Sequence, residues 1–185
     1  MLTKDKGRLS HIEENNMVRK VSSKENKFIK MARQLNQKKV RDKTGLFLLE
    51  GIRSLEDIGR SNYEIEAILI NSSFKEKDAS EDLLSKFKTV PILEVEDKVF
   101  KEISLTETTQ GVLLIVHKKQ FILESVLDNE PKIIVIADGI QDPGNLGTIL
   151  RTSAAAGTSA LLVTRGCVDV YNPKVVRASM GGIFF

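Results

Sequence analysis

The densest potential chemistry in the sequence lies in residues 138–157. There Asp138-Gly139-Ile140-Gln141-Asp142-Pro143-Gly144-Asn145 separates an apolar run, 132–137, from a helical stretch, 146–156, that stops at Gly157. A loop of this kind sits at the carboxyl end of its strand, where open α/β sheets bind ligands. The helix start after it presents free backbone N–H groups to an anion or a polar ligand. Gly144 and Gly147 allow another backbone or a ligand to come close. The same residues also suit an ordinary, well-capped βα turn. The pattern is not G-x-G-x-x-G, so a dinucleotide fingerprint is not supported. Two side chains stand out, Asn145 and Arg151. Six helical residues at about 100° each set them about 240° apart, and they share a cleft only if Asn145 belongs to the loop as a cap. Arg151 lies among Leu146, Ile149, Leu150, Ala154 and Ala155. It reads either as a snorkelling surface residue or as an oriented clamp for an anion.

A second concentration is basic. Lys24, Lys27, Lys30 and Arg33 are followed by Lys38, Lys39, Arg41 and Lys43. With Phe28, Met31, Ala32 and Leu35 at helical spacing and Ser22-Ser23 as a cap, this reads as one helix with an apolar side and a basic side. Lys38, Lys39 and Arg41 are its candidate nucleic-acid contacts. Across the 185 residues the net charge is +3, but residues 1–43 hold 13 basic and 5 acidic residues, a balance of +8. The remainder balances at −5. A basic arm attracts a polyanion, nucleic acid above all, or is simply a solvated tail. Lys174 and Arg177, three apart on one helix face, carry the same two readings.

Other chemistries are excluded by count. One cysteine rules out an intramolecular disulfide framework, and two histidines leave little for a zinc site, so no metal is expected. Cys167 reads as a loop or buried residue, and His117 as surface. No run reaches the roughly 18 apolar residues of a membrane span, and the charged N-terminus lacks a signal-peptide core. The expected compartment is the cytoplasm. Aromatic residues make up 5% and form no base-stacking pattern, so any nucleic-acid recognition would rest on shape and phosphates.

The elements that must position these residues alternate. Strands are expected at 46–49, 67–70, 91–95 and 111–116, with helices at 52–58, 79–87 and 99–103, which is an α/β sandwich. A short helix near 122–127 leads to a junction at Pro131. A second unit comes next, with strands at 132–137 and 159–164 and a third at 182–185. The expected division is a disordered leader at 1–16, with Met17 as the natural start, a first domain at 17–117, a linker at 118–131 and a partial domain at 132–185.

The stretch 138–157 is similar to the first motif of the SpoU/TrmH family of RNA ribose 2′-O-methyltransferases, part of the SPOUT superfamily. Tyr171-Asn172-Pro173-Lys174-Val175-Val176-Arg177-Ala178-Ser179-Met180-Gly181-Gly182-Ile183-Phe184 resembles the segment that comes after this motif in members of that family. Upstream, Lys38-Lys39-Val40-Arg41-Asp42-Lys43-Thr44-Gly45-Leu46-Phe47-Leu48-Leu49-Glu50-Gly51-Ile52-Arg53 resembles the start of its substrate domain, and Thr109-Gln110-Gly111-Val112 that domain's last strand. The resemblance covers about residues 20–185. It implies an N-terminal α/β/α RNA-substrate-binding domain followed by the first part of a SPOUT trefoil-knot methyltransferase domain. It implies S-adenosylmethionine as cofactor, a homodimer, and RNA as substrate, ribosomal in preference to transfer RNA. Asn145 and Arg151 match the motif asparagine and the catalytic arginine. Glu50, Gly51 and Arg53 match the signature of the substrate domain.

The family's second motif, a G-x-E-x-x-G loop, and its third, a Ser/Asn-rich helix start, do not occur after residue 157. The resemblance therefore implies the front two-thirds of a methyltransferase. Cofactor-binding residues are expected beyond residue 185, the chain alone is expected to bind no S-adenosylmethionine, and the second unit is expected to be poorly stable with an open sheet edge. The competing expectation is a non-catalytic RNA-binding module. In the enzyme reading Arg151, always protonated, cannot act as a plain base. It would grip a phosphate and stabilise the emerging alkoxide, with Asn145 orienting Arg151 or the ribose.

Overall fold

The computed structural model describes residues 18–128 and 133–185. The expected leader, the start at Met17 and the junction at Pro131 lie outside the described residues. The described residues open with β1 (Arg19–Val21), α1 (Lys27–Gln34) and α2 (Lys38–Thr44). Then come β2 (Leu46–Glu50), α3 (Ile52–Ile58), β3 (Ile65–Ile70), α4 (Ser72–Lys75), α5 (Ser80–Ser85), β4 (Ile92–Val95), α6 (Asp97–Ile103), β5 (Val112–His117) and α7 (Leu123–Asp128). The second half runs β6 (Ile134–Ala137), α8 (Pro143–Ala155), β7 (Ala160–Val163), α9 (Pro173–Ala178) and a 3₁₀ turn, Gly182–Phe184.

The first five strands form one sheet in the order β1-β4-β3-β5-β2. β1, β4 and β3 run parallel, and β5 is antiparallel to both β3 and β2. The apolar runs of β2, β3 and β5 follow from burial on both faces. Alternate residues feed two cores. Leu48, Ala67, Leu69, Leu113 and Ile115 meet Ile29, Ala32 and Leu35 from α1 and its end, and Phe100 and Ile103 of α6. Phe47, Leu49, Ile68, Ile70, Leu114 and Val116 meet Leu55 and Ile58 of α3 and Phe74. This is the expected α/β/α sandwich.

Local details differ from the sequence reading. The single basic helix is two. α1 is capped by Asn26, whose side chain accepts Phe28 N–H at 2.9 Å, while Ser23 serves the turn before it. Gln37, extended at φ −88°, ψ 127°, separates α1 from α2. β1 has no counterpart in the sequence reading, because three residues, two of them basic, carry no apolar period; its pairing with β4 alone orders it. The strand expected at 182–185 is a 3₁₀ turn. Gly181 sits at φ +87°, Phe184 N–H donates to Gly181 O at 3.1 Å, and Ile183 and Phe184 both turn inward.

β6 and β7 form a separate parallel pair, with Ile136 exposed upon it. No third strand joins them among the described residues. Residues 169–185 nevertheless pack on the first sheet. Leu150, Val176, Ile183 and Phe184 are part of the first sheet's own core. α9 lies against β2 and so covers that edge strand. Phe47 packs on Tyr171 at 4.7 Å between ring centroids, and Tyr63 on Phe184 at 5.5 Å. Tyr63 OH donates to Ile183 O at 2.9 Å, and burial pushes its phenol well above the usual range. α8 and α9 pack closely at Gly147, where a Cβ would come within 2.4 Å of Ala178 Cβ.

Candidate nucleic-acid interface

α8 begins earlier than its apolar pattern suggests. Asp142 is the cap, its carboxylate accepting Asn145 N–H at 2.7 Å, and Pro143 occupies the first helical position. Asn145 thus belongs to the first helical turn and not to the loop. The condition for a shared cleft is not met. Six helical residues place Asn145 and Arg151 about 240° apart around one helix. Within a single chain the structure does not bring them together.

Arg151 is exposed, and its Nη1 lies 3.0 Å from Met180 Sδ. Met180 has φ +46°, the one non-glycine residue at positive φ among those described. Such a backbone persists where its surroundings impose it. Here Gly181 and Gly182 press against neighbours on both sides. A Cβ on Gly181 would meet Asp57 Oδ2 at 2.5 Å, and one on Gly182 would meet Arg151 Cα at 3.0 Å. The turn after α9 is therefore wedged between α3 and α8, and it carries Met180 to the arginine.

The loop at the ends of β6 and β7 is closed on itself. Thr164 Oγ1 donates to Asp138 Oδ1 at 2.7 Å, and Ile140 N–H donates to Cys167 Sγ at 3.2 Å. Cys167 Sγ in turn lies 3.3 Å from Ala137 O. Cys167 is thus a half-buried tie between two loops. No buried polar side-chain atom is left without a partner among the described residues. Among the described residues no cluster of His, Cys, Asp or Glu is placed to hold a metal ion.

The larger feature is a groove of about 770 Å³ between the two halves. Glu50, Gly51, Ser54, Thr106 and Gln110 line one side; Pro143, Asn172, Lys174 and Arg177 line the other. Glu50 shapes its wall. Its carboxylate accepts Ser104 Oγ at 2.8 Å, Thr106 Oγ1 at 2.9 Å and Leu105 N–H. Gly51, at φ +107°, lets Gln110 reach over it to accept Ile52 N–H at 2.8 Å, capping α3. Arg53 projects from α3 with 74% of its side chain exposed and only a distant carboxylate, Asp57 at 3.9 Å. On the far wall Asn172 caps α9 through Lys174 N–H at 2.9 Å.

The basic arm is rearranged. Lys38 pairs with Asp42 at 2.6 Å; Lys38 and Lys118 together hold the Asp42 carboxyl down to about 2. Lys39 is exposed on α2. Arg41, expected on the basic face, is only 2% exposed. Its Nε and Nη2 both donate to Asp169 Oδ2, at 2.9 and 2.6 Å, and Nη1 donates to Leu35 O and Asn36 O at 2.9 Å each. Arg41 therefore joins the halves and is removed from any outer surface. Lys24 and Arg33 are taken up by Glu102, and Lys30 by Glu25. Sequence reasoning does not single out Gln110, Asp169 or Met180. The Asn172-Pro173 step is a readable helix start.

Comparison with known proteins supplies two matches. Residues 26–114 match the MRM3-like substrate binding domain, and residues 132–185 match the SpoU rRNA Methylase family. The chain is 38% identical over 148 residues to rRNA methyltransferase 3, mitochondrial, of Mus musculus, covering 78% of this chain and 35% of that protein. It is 32% identical over 167 residues to the 23S rRNA (guanosine(2553)-2'-O)-methyltransferase RlmP of Bacillus subtilis (strain 168), covering 90% of this chain and 63% of that one. Among solved structures, the AdoMet-bound rRNA methyltransferase from Sinorhizobium meliloti superimposes with a TM-score of 0.76 at 31% identity, covering 90% of this chain and 62% of the other. The chain thus spans between about a third and just under two thirds of the length of these relatives.

Proposed function

Because the chain belongs to the SpoU rRNA methylase family, we propose that it serves the transfer of a methyl group from S-adenosylmethionine to a ribose 2′-hydroxyl of ribosomal RNA. The family's cofactor supplies an electrophilic methyl on a sulfonium, which leaves the protein to provide grip, position and charge. A 2′-hydroxyl is a weak nucleophile until negative charge on its oxygen is stabilised. Arg151 keeps its proton and cannot be the base. Its planar fork holds the neighbouring phosphate and faces the developing charge on oxygen. The contact with Met180 aims the guanidinium.

Asn145 sits on another side of the same helix, so its partner is sought outside its own chain. A homodimer gives it one, with Asn145 of one copy and Arg151 of the other acting on one ribose. Glu50 and Gly51 shape the groove; Lys39 and Arg53 offer exposed charge to RNA, and Lys38 does so beside Asp42. The cytoplasm, where bacterial ribosomes reside, is the proposed compartment. No helix among the described residues is long and apolar enough to cross a membrane. The observation that carries this reading is a polar groove lined by Lys174 and Arg177 of α9, the helix whose following turn sets Met180 against the exposed Arg151.

A 2′-O-methyl group removes the hydroxyl that attacks the adjacent phosphodiester in alkali. Deleting the gene for the chain is expected to convert one alkali-resistant linkage in ribosomal RNA to a sensitive one. An unchanged cleavage pattern in ribosomal RNA, with a lost resistant linkage in transfer RNA, would move the substrate to transfer RNA; no change in either would end the methylation reading.

A further inference from the structure

We propose that Lys174 and Arg177 of α9, with Arg53 of α3, form a phosphate-binding strip that leads one RNA strand along the groove to Arg151. This rests on RNA being the substrate and adds the path by which it reaches the reacting end. Three observations support it.

The first is free charge. Lys174 and Arg177 are exposed, line the groove, and enter no ion pair among the described residues. Several basic side chains of the N-terminal region are, by contrast, matched to carboxylates. A solvated lysine or arginine that stays unpaired beside a polar groove is available to a phosphate. The second is that the carboxylate lining the groove's near wall, Glu50, is already engaged. Glu50 is half-buried and its oxygens are turned to the 104–106 segment, so that carboxylate is already solvated by protein donors.

The third is continuity. Arg177 is three residues before Met180, whose N–H returns to Arg177 O at 3.2 Å. Met180 touches Arg151. Gly181 lies against Asp57, the carboxylate nearest Arg53. Arg53, Arg151, Lys174 and Arg177, from three helices, are therefore linked through the turn after α9, and two of them, Lys174 and Arg177, line the groove itself. Lys174 and Arg177 share a helix face at i, i+3. Two of the four come from the segment that Arg41 and Asp169 fasten to the first sheet. Docking of the halves adds Arg53 of the first to the three basic residues of the second, because Asp57 beside it lies against Gly181.

The test is fluorescence anisotropy of a labelled single-stranded oligoribonucleotide with the full 185-residue chain, titrated at several salt concentrations. Removing two phosphate contacts lowers the slope of log K against log salt by about 1.4 for a single strand. The double variant K174Q/R177Q is expected to show that drop and at least ~10-fold weaker binding at low salt. Arg53→Gln on top of it is expected to remove about 0.7 more. The same charge removal on the opposite face, K98Q/K101Q on α6, is expected to leave the slope unchanged. Circular dichroism melts check that the variants fold. RNA binding with an unchanged slope in K174Q/R177Q, or an equal drop in K98Q/K101Q, overturns the strip while leaving the RNA reading in place. A wild-type chain that binds no RNA at all overturns both.

Discussion

Replacing Arg41 by Met is expected to destabilise the chain by about 3–5 kcal/mol, the usual consequence of removing one partner from a buried ion pair. Arg41 is 2% exposed and Asp169 is 12% exposed at the side chain. The substitution leaves the Asp169 carboxylate with one remaining described hydrogen-bond donor, the Tyr171 N–H at 3.1 Å. It also strips Leu35 O and Asn36 O of their guanidinium donor. The loss is local in its first effect. Residues 169–171 are held at this point, and Tyr171 carries the aromatic contact with Phe47 and a hydrogen bond from its OH to Lys119 O at 3.2 Å. Hydrogen exchange is therefore expected to rise most in 169–185 and least in β3 and β5. Replacing both partners by apolar residues is expected to recover part of the stability, because no lone buried charge remains. A denaturant midpoint for Arg41→Met within about 1 kcal/mol of the wild type would mean that the pair does not hold the halves together.

The second large effect concerns Arg151. On the proposed mechanism, Arg151→Lys is expected to lower methylation at least ~100-fold, in the range seen when a donor to a developing oxyanion is removed. Lysine keeps the charge but not the planar fork that grips phosphate with two parallel N–H groups. Its ammonium also lacks the reach and shape that set Nη1 against Met180 Sδ. In the deletion background, a plasmid carrying Arg151→Lys is expected to leave the ribosomal linkage alkali-sensitive, whereas the wild-type gene restores resistance. Full restoration by the lysine variant, at equal protein level, would show that charge alone suffices and that Arg151 is no bidentate clamp.

Much of the architecture is readable from the residues. The four apolar runs of the first sheet announce themselves because each is buried on both faces. The motif helix is legible through its glycine stop and its loop. The features that stay hidden are set by contacts distant in sequence. Arg41 belongs to a series of Lys and Arg at helical spacing that resembles a solvated face, and its partner lies 128 residues away. β1 has no period of its own and forms by joining β4. The 182–185 run is a short apolar stretch, which periodicity cannot assign between strand and turn. Only the positive φ of Gly181 and the burial of Ile183 and Phe184 decide it. Asn145 is on the helix and away from Arg151, because a Pro at the first helical position and an Asp before it start α8 at Pro143. The apolar period, which begins only at Leu146, hides that earlier start.

The groove, too, is half legible. Glu50, Gly51 and Arg53 come from one end of the chain, and Lys174 and Arg177 from the other. Nothing in either segment says that they face each other. Docking of α9 over β2 makes that surface, through an ion pair and an aromatic cluster whose members are scattered over 47, 63, 171 and 184.

The central claim is that RNA lies in the groove between the halves. Photo-crosslinking of the intact chain to 4-thiouridine-substituted ribosomal RNA fragments, with the joined peptides located by mass spectrometry, tests it most directly. Crosslinks are expected in residues 50–54 and 172–180, reaching α8 near Arg151. Crosslinks confined to the outer faces of α1 and α6, with none in the groove, would contradict it.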